Sequence, residues 1–225
     1  MQRSFYLLMM IFIAVLVLYG FSHTVEADIF NPPQPPPMVL YVHVAVFTGW
    51  LAVVITQSAL IRTHNLRLHK RLGWLGLGFG VLMVVVGLAV TLIMGHEHVL
   101  RDGPQASMFI YRPLEDILFF GVLFGLAIHW RKRPDFHRRL MLLAAIIVTP
   151  PAISRIPGIH PLSLVYAATD LLIVAGVLHD LITMKRVHAV YLWAGPIIVI
   201  GQAALLAVLS LRPTPFFQLA LAITR

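Results

Sequence analysis

Cysteine is absent from all 225 residues, and acidic side chains number only nine. The first absence excludes disulfides, thiolate metal sites and covalent haem attachment through a Cys-x-x-Cys-His motif. The second leaves charged residues at 12% of the chain against 59% hydrophobic, about half the charged share usual in a soluble domain. A soluble chain of this length could not cover so much apolar surface, so lipid is the solvent for most of it. Other signatures are missing too. There is no His-Glu-x-x-His helix and no Ser-His-Asp order. Gly73, Gly76, Gly78 and Gly80 are not a phosphate loop, because no strand precedes them and no Lys-Ser/Thr follows. At the start of an apolar run they read instead as positions of close helix contact. No stretch resembles a separate soluble domain.

What is present is a series of long apolar runs. About 20 such residues cross a hydrocarbon core of roughly 30 Å at 1.5 Å per residue. Seven segments qualify, at about 5–21, 38–61, 73–94, 109–130, 140–156, 162–184 and 190–211. The expectation is an all-α integral membrane protein: a seven-helix bundle with an N-terminal helix ahead of a six-helix core over 38–211. Short links make consecutive helices antiparallel neighbours. The link 22–37 differs, because Asn31-Pro32-Pro33-Gln34-Pro35-Pro36-Pro37 reads as an extended polyproline-type strap outside the membrane. Residues 213–225 are too short to cross, and Phe216, Phe217, Leu219, Leu221 and Ile223 suit an interfacial tail.

The net charge of +8 does not point to nucleic acid, because the basic residues fall in short clusters between apolar runs. Alternate links carry 12 Lys and Arg on one side, the Arg67-Lys70-Arg71, Arg131-Lys132-Arg133 and Lys185-Arg186 clusters among them, against 5 on the other. That bias predicts a cytoplasmic amino terminus and an outer carboxyl terminus. The segment 5–21 reads as a retained anchor or as a cleavable signal peptide ending near Val25-Glu26-Ala27, and cleavage would leave six helices in the same orientation.

Three of the basic links share a signature: Arg67-Leu68-His69, Phe136-His137-Arg138 and Arg186-Val187-His188. His69 is followed by Trp74 and Gly76, and His188 by Trp193 and Gly195, at the same offsets. His69-Lys70-Arg71-Leu72 and His137-Arg138-Arg139-Leu140 also match. One helical hairpin used three times explains the pattern, with a histidine at one membrane face each time. Side by side, His69 and His137 offer two imidazoles to one metal or haem iron. Arg71 and Arg138, with Lys70 and Arg139, stand ready for haem propionates. The same residues also suit a purely interfacial role, with their heads reaching toward lipid headgroups.

The opposite half of the chain holds a second set: His43, Arg112, Asp116, Arg155, Tyr166 and Asp170, which together suggest an outward-opening pocket. Asp170 lies about 12 Å inside its span, where a bare carboxylate costs on the order of 3 kcal/mol. Arg155 is its expected partner. Arg112-Pro113-Leu114-Glu115-Asp116 also reads as a helix start, with proline in the first turn and acids at the positive end of the dipole. His96, Glu97 and His98 read as a solvated outer link. Thr149-Pro150-Pro151 removes two backbone donors in mid-segment and must kink or unwind the helix there.

The order His43, Trp50, Gln57, His69-Lys70-Arg71-Leu72-Gly73, then His137-Arg138-Arg139-Leu140-Met141 and Arg155, resembles a broad group of uncharacterised bacterial multi-spanning membrane proteins, over roughly 40–160. Leu68, His69, Leu72 and Gly73 are also similar to the transmembrane cytochromes b that ascorbate reduces. That resemblance implies haem b held by His69 and His137 near the inner face, with His43 as one ligand near the outer face. The partner of His43 would lie on the fourth helix, where the sequence offers Tyr111, Arg112, Glu115 and Asp116 but no histidine. One haem is what the chain accommodates. The leading expectation is a haem b redox relay of a bacterial inner membrane, with quinone or another lipid-soluble carrier near His43 and Asp170. Two alternatives stand beside it. One is a seven-helix zinc-dependent membrane hydrolase built on His43, Asp170 and an outer-link histidine. The other is a non-catalytic accessory subunit or ligand sensor of a larger membrane complex.

Overall fold

The computed structural model describes residues 2–32 and 35–224, the side chains of Gln2, Arg3 and Asp28 excepted, and no strand occurs among them. Nine α-helices follow one another among the described residues: α1 (Gln2–Ser22), α2 (Met38–Arg62), α3 (Leu66–Asp102), α4 (Tyr111–His129), α5 (Pro134–Ile147), α6 (Pro150–Ile153), α7 (Leu162–Met184), α8 (Ala189–Leu211) and α9 (Thr214–Thr224). Six stretches are long and apolar enough to cross a membrane: α1, α2, α3, the α5–α6 pair, α7 and α8. The expected seventh, 109–130, is the helix α4, but Arg112, Glu115 and Asp116 crowd its first two turns and set it apart. The chain is a multi-pass helical membrane protein by length and composition.

Local chemistry explains the boundaries. Asn65 caps α3, its side chain accepting from the Leu68 amide at 3.1 Å. Pro134 occupies the first turn of α5, where its missing N–H costs nothing. The proline strap ends at Pro37 with φ −55° and ψ 142°, a polyproline conformation, and α2 begins at once. Earlier in that link, Glu26–Phe30 forms a π-helical turn rather than extended chain, and Pro33 and Gln34 lie outside the described residues.

Three expectations need correction. Helix α3 runs 37 residues, far beyond 73–94; at helical rise that is about 55 Å, nearly twice a hydrocarbon core. The His69 turn is therefore inside the helix, and His96, Glu97 and His98 are helical, not a solvated link. Residues 214–224 form a helix docked on the far end of α3 and on the 3₁₀ turn Pro104–Ile110, with Ala220, Leu221 and Thr224 buried. His96 Nδ1 donates to the Thr224 carbonyl at 2.8 Å, which ties the two together. Of the expected glycines, Gly80 admits Phe124 and Gly76 makes an ordinary contact with Val53 at 3.4 Å, while Gly87 and Gly95 further along α3 admit Ile117 and Ile110. Gly73 and Gly78 meet nothing within 4 Å.

The break at Thr149-Pro150-Pro151 is real. Helix α5 ends at Ile147, the Thr149 hydroxyl donates to the Ile146 carbonyl at 2.7 Å, and α6 restarts at Pro150. Its use is packing: Gly20 of α1 lies against the Ala152 backbone so closely that a Cβ would sit 2.2 Å from the Ala152 oxygen. Helix α1 belongs to the core, contributing Tyr6, Met9, Met10 and Ile13 alongside Trp50, Phe120 and Leu140–Ile147.

Candidate functional site

Two polar regions stand at opposite ends of the bundle. At the end carrying Arg67, Lys70 and the Arg131–Arg133 cluster, hereafter the basic end, His69 and His137 each occupy the fourth residue of a helix. His188 does not repeat this position, because it is the N-cap of α8, its Nδ1 accepting from the Val190 amide at 3.2 Å. The matched Trp and Gly offsets therefore mark a similar turn sequence but not an equivalent helix register. With Nδ1 accepting, Nε2 carries the proton and faces Asp135 Oδ2 at 3.4 Å. Burial, followed by the nearby Arg139 charge, holds the His188 imidazole below its ordinary pKa.

His137 is held in the opposite tautomer. Its Nδ1 lies 2.8 Å from the Ala127 carbonyl. A carbonyl only accepts, so Nδ1 carries the hydrogen and Nε2 keeps its lone pair. Ala127 offers that carbonyl because it lies in the last turn of α4, where main-chain oxygens lack intrahelical partners. The His69 ring approaches the main-chain carbonyl of Gln57 on α2, more loosely than a hydrogen bond, and its Nδ1 is buried without a partner. His137 is close enough for its charge to act on His69. Lys70 and Arg71 are exposed beside His69, whereas the Arg138 guanidinium carbon leans over the Tyr6 ring, 5.4 Å from its centroid.

Arg139, expected with Arg138 beside haem propionates, is committed elsewhere. Arg139 is fully buried and makes a bidentate pair with Asp180 of α7: Nε to Oδ2 at 2.7 Å and Nη2 to Oδ1 at 2.6 Å. Its Nη1 donates to the Asp135 carbonyl at 2.7 Å, and Nη2 also reaches Met184 Sδ at 3.4 Å. A planar five-donor fork suits such a two-point grip. The signal in the sequence was Asp180 itself, one of nine acids, set in an apolar helix opposite a basic turn.

At the other end, the six residues expected to form one pocket divide into two groups. Tyr166 of α7 donates to Glu115 Oε2 of α4 at 2.8 Å, with buried Asp116 next to Glu115 and Arg112 close enough to act on both Asp116 and Tyr166. Asp170, a turn further along α7, faces Gln202 of α8, while its Oδ1 and the Gln202 Nε2 are buried without hydrogen-bond partners. The expected Asp170–Arg155 pair is not made. Arg155 turns to α1 instead: Nε donates to Thr24 Oγ1 at 3.0 Å, Nη1 to the Pro151 carbonyl at 2.6 Å, and the guanidinium lies 4.4 Å from the Phe21 ring centroid. The proline break explains this. It ends α5 early, so Arg155 follows α6 toward the Gly20–Thr24 end of α1. His43 joins the Arg155 side, half-buried against Phe47 with ring centroids 4.0 Å apart.

No three His, Asp or Glu side chains among the described residues gather as a metal-binding group. No family model, no curated protein and no solved structure matches the chain.

Proposed function

We propose that this chain is a seven-span protein of a bacterial inner membrane, with α4 as the seventh span and the basic end in the cytoplasm, that holds one haem b through His69 and His137 and relays electrons to or from a quinone or another lipid-soluble carrier. The observation that carries the reading is the tautomer of His137. A histidine that ligates a metal usually donates its other ring N–H to a carbonyl or carboxylate, which fixes the ring and leaves one lone pair for the metal. The Ala127 carbonyl does this for His137, and the approach of His69 to the Gln57 carbonyl is a looser counterpart.

The donor set fits the group. Both imidazoles lie at the basic end, His137 near enough to act on His69, and exposed Lys70 and Arg71 beside His69 could meet propionates. Arg138 supports this less directly, because it is engaged with Tyr6. A bound haem supplies one-electron exchange at a potential set by its axial ligands and surroundings. The chain's own part is to orient the two imidazoles, hold them neutral away from bulk water, and place positive charge at the rim. The zinc-hydrolase reading draws less support, since His43 faces Arg155 and Asp170 faces Gln202.

The test is an absorption spectrum of the purified protein with iron and zinc analysis. A Soret band is expected, lost in His69→Ala and His137→Ala but retained in His43→Ala, with all three variants monodisperse. Wild-type protein with neither band nor iron after haem supplementation overturns the reading and leaves the accessory-subunit alternative.

A further inference from the structure

At the basic end, four helices bring polar groups together in a region the haem reading does not use. The Arg139–Asp180 pair joins α5 to α7 with no exposed surface on either side chain. Tyr6 of α1 and Tyr191 of α8 are 8% and 3% exposed, and each hydroxyl is buried without a hydrogen bond of good geometry, Arg138 approaching Tyr6 more loosely. Tyr6 is near enough to act electrostatically on Tyr191, and both tyrosines act on Arg139. His179 of α7 stacks on Phe5 at 3.9 Å, its Nδ1 is 3.7 Å from Asp180 Oδ1, and both ring nitrogens are buried without a hydrogen bond. Gly176, one turn before Asp180, makes the approach possible: a Cβ there would meet the Tyr191 hydroxyl at 2.4 Å.

Four unmet hydrogen-bonding atoms so close together in an apolar bundle require a partner. Buried polar groups without protein partners are characteristically satisfied by internal water, which makes about three hydrogen bonds each. The chemistry narrows the occupant further. The charge of Arg139, which an anion would want as its partner, is already committed to Asp180, with its other donors on the Asp135 carbonyl and Met184. A cation would meet the positive charges of Arg138 and Arg139. Tyrosine hydroxyls and a neutral imidazole both donate and accept, and a neutral molecule that does the same matches them.

We infer that Tyr6, His179 and Tyr191 enclose a buried water site against the Arg139–Asp180 pair, closed toward the basic end by Asp135 and His188. Those two form the rim: Asp135 holds Arg139 through its carbonyl and meets His188 through its carboxylate.

Hydroxyl-radical footprinting of the full-length protein tests the site independently of any haem, because a buried side chain beside bound water is oxidised faster than an equally buried dry one. Tyr166 is the internal reference: it is 4% exposed, and its hydroxyl donates to Glu115. Tyr6 and Tyr191 are expected to oxidise several-fold faster than Tyr166, and Tyr191→Phe is expected to slow oxidation of Tyr6. Infrared spectra after transfer to D2O should show the Tyr6 and Tyr191 ring bands, assigned with the Tyr→Phe variants, shifting within seconds. Oxidation no faster than Tyr166, a Tyr191→Phe variant that melts higher than wild type, or hydroxyl exchange only on the timescale of unfolding would each overturn the inference.

Discussion

Arg139 and Asp180 show how a single pair can matter more than its place in the sequence advertises. Two charges held away from water lose hydration worth several kcal/mol each, and only good geometry returns it. Here both guanidinium contacts are short and both side chains are fully buried. Removing one partner leaves the other charge stranded, so Arg139→Ala and Asp180→Ala should each destabilise by about 3–5 kcal/mol. The double variant should recover much of that loss in thermal melts in detergent. Simple additivity of the two losses would show that the pair is not energetically coupled. The sequence pointed to the wrong acid for a physical reason. Depth along a helix made Asp170 look costly and Arg155 its natural counter-charge, whereas pairing depends on which helices touch. Asp170 faces Gln202 on α8, and Arg155 is carried off by the proline break.

Among the elements, that break is the feature that reorganises its surroundings. Thr149-Pro150-Pro151 was legible as a kink because two missing donors cannot be hidden in a helix. Its purpose was not legible, because it depends on α1, far away in sequence. The interruption lets α1 cross at Gly20 directly on the Ala152 backbone. Glycine is required there for want of space. Gly20→Ala would place a Cβ 2.2 Å from a main-chain oxygen that has no rotamer to escape into. Overpacking of this kind costs about 1–3 kcal/mol, and it should also weaken the Arg155–Thr24 contact just beyond. Gly78→Ala, at a site where nothing lies within 4 Å, is the control and should melt within about 0.5 kcal/mol of wild type. Equal effects at both positions would show that the crossing is looser than described. The same reasoning separates α3 from its expected range. Hydropathy marked 73–94, but the Asn65 cap and the contacts with residues 104–110 and α9 extend the helix at both ends.

For the whole molecule, alternation of apolar and basic stretches was enough to establish a helical multi-pass chain, because each link must lie on one side of the bilayer or the other. It also makes a statement about orientation that the packing of helices alone does not, since a bundle packs the same way up or down. Twelve of the 17 basic residues lie on one set of links, and the charge bias predicts that this set faces the cytoplasm. The absence of cysteine makes the test unusually clean, because a single introduced thiol is the sole target for a maleimide on the protein. Lys132→Cys lies in the turn between α4 and α5, and Gly103→Cys follows α3 at the opposite end. Neither residue is buried in the core: Lys132 is exposed, and nothing lies within 4 Å of a Cβ at Gly103. Gly103 has φ 85°, so its replacement carries local strain and expression must be compared with a variant at exposed Arg101, Arg101→Cys, two residues earlier. In intact spheroplasts a membrane-impermeant maleimide should label Gly103→Cys and Arg101→Cys but reach Lys132→Cys only after lysis. The reverse pattern would place His69, His137 and the Arg139–Asp180 layer, with its buried water site, at the outer face. Labelling of both ends from one side would mean that an odd number of helices between them does not cross, and α4, with Arg112, Glu115 and Asp116 at its start, would be the helix to remove from the span count.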